Sequence, residues 1–173
     1  MLRSPHHLPD EVFRNGAYFV SLTMCTANRA RLFDDCESAS VVRQEIERLD
    51  EQRSPVLAYC IMPDHVHVIL IHRLLSLAET VRLLKGRASR RIRRDRPQLA
   101  VWQSGYYDHI IHRSEGIYRC LQYVLDNPVR KGLVTNWWNW PLSGVPALGE
   151  PGPDLFGAVN PENILWEELA RGG

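Results

Sequence analysis

The spacing of apolar positions changes several times along this chain, and each change marks an element. Residues 17–26 (AYFVSLTMCT) concentrate aromatic and β-branched side chains and predict a strand. Over residues 35–52, Val41, Val42, Ile46 and Leu49 recur at helical spacing among charged neighbours. Pro55 ends that segment, and Val56–Met62 and His65–His72 read as two strands joined by Pro63 and Asp64. Residues 77–95 predict a long helix, opened by Ser76 and Glu79 in capping-box spacing. A short strand is expected at 106–111. A further helix over 114–127 is expected to stop at Pro128, because proline disfavours helix in the residue before it. The order β-α-β-β-α-β followed by a helix predicts an α+β fold, a ferredoxin-like antiparallel sheet with helices packed on one face. Residues 1–145 form the expected domain. The stretch 146–173, rich in Pro and Gly, is expected to be a C-terminal tail packed on the same domain.

Composition narrows the class. The chain has 173 residues, 45% of them hydrophobic, enough for one domain with a real core. No run of 18 apolar residues exists, which argues against a membrane partner or span, and the first residues lack the apolar stretch of a secretory signal. Cys25, Cys36, Cys60 and Cys120 are scattered without a C-x-x-C pair. They read as reduced thiols of a cytoplasmic protein, which excludes a zinc ribbon or a disulfide framework.

The formal net charge of +1 hides a dipolar chain. Only Lys85 and Lys131 are lysines, so nearly all of the 21 basic residues are Arg. Between Arg73 and Arg96 nine basic residues face two acidic ones, and from Asn136 onward one Arg faces five acids. A basic middle is the footprint expected of a nucleic-acid binder, although a solvated helix face would account for it equally well.

Two features carry candidate chemistry. His65 and His67 are separated by one residue on a strand, so both imidazoles share one face, about 7 Å apart by strand rise. Such a pair can chelate a divalent cation or contact a phosphate; a chance pair on an exposed strand is the bland alternative. Val66, Val68 and Leu70 define the opposite, core-facing set, and Ile69 and Ile71 on the histidine face require a covering element. The second feature is Tyr123. In its helix, Ile117, Cys120, Leu121, Val124 and Leu125 make one apolar stripe, from whose centre Tyr123 is turned by about 130°. Asn127 lies one turn on and beside it. A cation on two histidines, a tyrosine off the core face and an Arg-rich binder of phosphates together point to phosphoryl transfer through a covalent phosphotyrosine.

These residues fall in motifs with a family resemblance. Tyr59-Cys60-Ile61-Met62-Pro63-Asp64-His65-Val66-His67-Val68-Ile69-Leu70 resembles the HUH motif of single-tyrosine transposases, where U is hydrophobic. Trp102-Gln103-Ser104-Gly105-Tyr106-Tyr107-Asp108-His109 and Tyr123-Val124-Leu125-Asp126-Asn127-Pro128-Val129-Arg130-Lys131-Gly132-Leu133-Val134 resemble the REP-associated tyrosine transposases, and the likeness runs over 17–145. The resemblance implies an HUH nuclease acting on single-stranded DNA beside a hairpin. Tyr123 would be the nucleophile, giving a 5′-phosphotyrosine and a free 3′-OH. His65, His67 and Asn127 would be ligands of Mg²⁺ or Mn²⁺. Two imidazoles alone do not suit Mg²⁺, but an amide oxygen, a phosphate oxygen and waters restore an oxygen-rich shell. Ser104 stands where many relatives are expected to carry a basic residue, which bears on one possible DNA contact and not on the chemistry.

Phosphates of the hairpin are assigned to Arg82, Lys85, Arg87, Arg90, Arg91, Arg93 and Arg94, and the scissile strand to Arg113, Arg130 and Lys131. Trp102, Tyr106 and Tyr107 are candidates to stack on unpaired bases, with core packing the expected role of at least one. A histidine-triad hydrolase would need His where Ile69 stands, and a two-histidine phosphoesterase would need a second H-x-[ST] motif. The remaining alternative is a non-catalytic hairpin binder of the same fold. A cytoplasmic, nucleoid-associated protein is expected; the sequence leaves monomer and homodimer undecided.

Overall fold

The computed structural model describes residues 17–51, 54–72, 76–147 and 152. Its elements run β1 (Tyr18–Cys25), α1 (Cys36–Glu51), β2 (Val56–Met62), β3 (His65–His72), α2 (Leu77–Ile92), β4 (Tyr107–Ile110), α3 (Ile117–Leu125), α4 (Asn127–Arg130) and β5 (Ser143–Gly144). Short 3-10 turns occupy Ala27–Arg29, Leu32–Asp34 and Trp137–Asn139. The strands form one antiparallel sheet in the order β4-β1-β3-β2-β5, the ferredoxin-like arrangement with one added edge strand.

Strand period sorts the side chains to two faces. Val20, Leu22, Val66, Val68 and Leu70 point to one side and pack with Val42 and Ile46 of α1 and Val81 and Leu84 of α2. Phe19, Ile69 and Ile71 point to the other and pack under Ile117, Leu121, Val124 and Leu125 of α3. The sheet is therefore covered on both faces, with α1 and α2 on one side as expected and α3 supplying the second cover. β2 and β3 at the centre are almost wholly buried.

The caps follow the sequence. Asp35 Oδ1 accepts from Glu37 N–H at 3.3 Å to open α1, and Ser76 Oγ accepts from Glu79 N–H at 3.2 Å to open α2. Two expectations need correction. The chain does not leave the helical state at Pro128: α3 ends at Leu125, and Pro128 lies in the first turn of the new helix α4, where its missing N–H costs nothing. The region after Trp137 also contains β5, which pairs Tyr59 with Gly144 and Cys60 with Ser143. A two-residue strand carries no periodicity to read. The proposed tail at 146–173 lies almost entirely outside the described residues.

Candidate active site

The two histidines are brought together by register. β1 and β3 pair Thr23 with His67 and Cys25 with His65, so these four side chains share the face that α3 covers. The imidazoles meet edge to face with centroids 4.8 Å apart. His65 Nδ1 lies 2.6 Å from Asp64 Oδ1. A carboxylate only accepts, so Nδ1–H donates and the Nε2 lone pair is left free. His67 Nδ1 lies 2.9 Å from Thr23 Oγ1, and the tautomer that donates to this hydroxyl frees Nε2 in the same way.

Burial disfavours the charged form of both rings. Burial pushes His67 down to about 3, helped by the charges of His65, Arg29 and Arg130. His65 is also lowered by burial, although Asp64 pulls it back upward. For Asp64, burial acts upward, but the His65 hydrogen bond and the charges of His65 and Arg29 hold its carboxyl below the usual range. Neutral imidazole is the form that ligates a metal.

The other half of the site comes from the α3–α4 joint. Tyr123 is 55% exposed, turned off the apolar stripe of α3 as its helical position predicts. The Arg130 guanidinium lies over its ring, 4.3 Å from the centroid. Asn127 is buried, and its Nδ2 donates to the carbonyls of Tyr123 and Val124 at 2.9 and 3.1 Å. These two acceptors fix which end of the amide is nitrogen, leaving Oδ1 turned from the helix end.

One cleft of about 330 Å³ is lined by Thr23, Arg29, His65, His67, Tyr107, Tyr123, Asn127, Arg130 and Lys131. Tyr123, His65, His67 and Asn127, placed on β3, α3 and α4, thus converge on one cavity. Among the described residues no group of three or more His, Cys, Asp or Glu could hold a metal ion. The donors present are two imidazole nitrogens and one amide oxygen. This set fits a divalent cation that takes its remaining ligands from phosphate and water.

The remaining basic residues separate into three groups. Arg130 and Lys131 line the cleft. Arg90, Arg94 and Arg113 are exposed, and Arg82 is exposed beside Glu79. The others are engaged within the fold. Lys85 Nζ donates to the carbonyls of Gln103 and Gly105, both at 2.7 Å. Arg91 pairs with Glu45, whose side chain is fully buried, at 2.7 Å. Arg93 Nε donates to Leu99 O at 2.7 Å. Arg87 is half-buried within α2. Of the candidate stacking aromatics, Tyr106 is buried, Trp102 packs on Phe33, and Tyr107 alone lines the cleft.

Three contributors escaped sequence reasoning. Asp64 sits beside His65 and was legible as its partner. Thr23 becomes visible only once the strand register is known. Arg29 comes from a turn with no pattern at all.

A sequence profile of the family described as "Transposase IS200 like" matches residues 17–127. A protein of Haemophilus influenzae described as a REP-associated tyrosine transposase is 25% identical over 143 residues, covering 75% of this chain and 80% of that protein. The solved structure of a REP-associated tyrosine transposase bound to a REP hairpin superposes with a TM-score of 0.59 at 18% identity, covering 83% of this chain and 81% of that one. Similarity at that identity speaks for the fold, and the profile, spanning well over half of the chain, settles the family: this chain belongs to the IS200-like transposases.

Proposed function

We propose that the protein is a metal-dependent single-stranded DNA endonuclease and strand transferase that acts beside a hairpin through a 5′-phosphotyrosine on Tyr123. The observation that carries the reading is the convergence of Tyr123, His65, His67 and Asn127 on one cleft. The hairpin substrate is supported by the description of the structural relative as bound to a REP hairpin.

His65 Nε2, His67 Nε2 and Asn127 Oδ1 would hold Mg²⁺ or Mn²⁺, which supplies charge neutralisation at a non-bridging phosphate oxygen. Asp64 and Thr23 keep the imidazole lone pairs aimed inward. Arg130 holds the Tyr123 ring, and Lys131 adds positive charge at the same mouth. Arg82, Arg90, Arg93, Arg94 and Arg113 are the exposed positions available to hairpin phosphates. A covalent link stores the phosphodiester bond for rejoining, which distinguishes strand transfer from hydrolysis. Among the described residues no helix is long and apolar enough to cross a membrane, and the chromosome-bearing compartment is the proposed site of action.

The test is to incubate the protein with hairpin-bearing single-stranded DNA and Mn²⁺ and to look for a denaturant-resistant protein–DNA adduct. Tyr123→Phe should abolish the adduct while leaving DNA affinity within about twofold, since an exposed hydroxyl contributes little to the fold. Tight binding without an adduct under any divalent ion would make the protein a hairpin binder instead.

A further inference from the structure

Arg29 reaches the cleft from a backbone that side chains usually avoid. Asn28 and Arg29 have φ of 53° and 56°, two consecutive non-glycine residues in the left-handed region. The turn is held there by its surroundings. The buried Thr26 donates its N–H to Asp64 O at 3.0 Å, and its hydroxyl lies 2.7 Å from Ala30 O. Ala27 N–H donates to Val101 O and Arg29 N–H to Thr26 O, both at 3.1 Å. A conformation over-determined in this way is a mark of a functional turn.

The turn fixes the direction of one guanidinium. Arg29 Nε lies 3.2 Å from Asp64 Oδ2, the carboxylate that also holds His65, and Nη1 donates to Cys25 Sγ at 2.9 Å. Nη2 has no partner among the described residues, and the side chain lines the cleft with Tyr123 and Arg130. A guanidinium held at Nε and Nη1 keeps its Nη2 N–H groups to donate to an oxygen of a phosphate.

We propose that Arg29 is a catalytic residue that binds the scissile phosphate, its Nη2 donating to a non-bridging oxygen during attack by Tyr123. This rests on the function proposed above. In the step, the phenol oxygen bonds to phosphorus and the P–O3′ bond breaks. The phenol gives up one proton and the departing 3′ oxygen takes one up, so the products are the tyrosyl phosphodiester and a 3′-OH. Arg29 changes no bond; it offsets charge on the phosphoryl oxygens.

The experiment uses the full chain and a hairpin oligonucleotide with single-stranded flanks, selected for tight binding from a pool with randomised flanks. Neutral methylphosphonates are placed at one flank position at a time, and affinity is measured for the wild type, Arg29→Gln and Arg29→Lys. The wild type should lose about tenfold at one position, and Arg29→Gln should bind the unmodified DNA about tenfold more weakly but lose nothing further there. Arg29→Lys should keep part of the sensitivity, since it keeps the charge without the fork. If the wild type forms the adduct, the sensitive position is the one it cleaves. If Arg29→Gln retains the full methylphosphonate penalty at every position, the proposal is overturned. A variant whose only change is weaker Mn²⁺ binding overturns it as well, leaving Arg29 a support for Asp64. This readout needs no turnover, so absence of an adduct would count against the proposed function and not against the contact.

Discussion

At the scale of single residues, the site depends on side chains that never meet substrate. Thr23 is the sharpest case. Its hydroxyl is hydrogen-bonded to His67 Nδ1 and orients the ring, so Thr23→Val, which keeps the shape, should weaken Mn²⁺ binding about 10- to 100-fold with little change in fold. A manganese titration on both proteins measures it. His67 also sets a pH dependence. Its ring sits at about 3 in the folded protein against an ordinary value of 6.5, so the unfolded chain takes up a proton first as pH falls. Stability is full above pH 6.5 and is lost progressively toward pH 3. His65, lowered less, acts with the same sign. Denaturant unfolding between pH 6.5 and 5 should show a shallower decline for His67→Gln than for the wild type. The H-x-H pair and the off-stripe tyrosine could be read directly from spacing. Thr23 could not, because a cross-strand partner 44 positions away is defined by register and not by local pattern.

At the scale of elements, long periodic segments declared themselves and short ones did not. β2 and β3 match their expected bounds because an apolar run enclosed by Pro55 and the Pro63-Asp64 turn admits little else. The α3–α4 joint was half legible. Proline before a helical turn can mean an end or a beginning, and the local sequence does not say which. β5 was illegible, yet it has a steric signature. A Cβ at Gly144 would lie 2.5 Å from Tyr59 Cε1 and 2.6 Å from Cζ, and that ring is buried between β2 and its neighbours. Gly144→Ala should therefore cost about 1–3 kcal/mol through overpacking and lower the melting temperature by several degrees in a thermal scan.

At the scale of the whole molecule, the basic middle of the sequence resolves into two jobs. Arg91 joins Arg48 in neutralising the buried Glu45, and Lys85 fastens the Gln103–Gly105 carbonyls to α2. Arg90 and Arg94 stay exposed. Replacing these two by Ala should flatten the dependence of hairpin affinity on salt by up to about two counterions, whereas Arg91→Ala should lower stability by about 2 kcal/mol and leave that slope unchanged. A salt series of binding isotherms beside a denaturant curve separates the two outcomes. No count of arginines could have made this division, since it depends on which side of α2 finds α1.

The placement of α1 and α2 on one face of the sheet and of the cleft on the other has an evolutionary corollary. The layer under α1 and α2 contains none of Tyr123, His65, His67 and Asn127, so mutations can erase cleavage while that layer survives intact. Descendants that keep their grip on DNA but no longer cut it are therefore only a substitution or two away, with no thermodynamic barrier to cross.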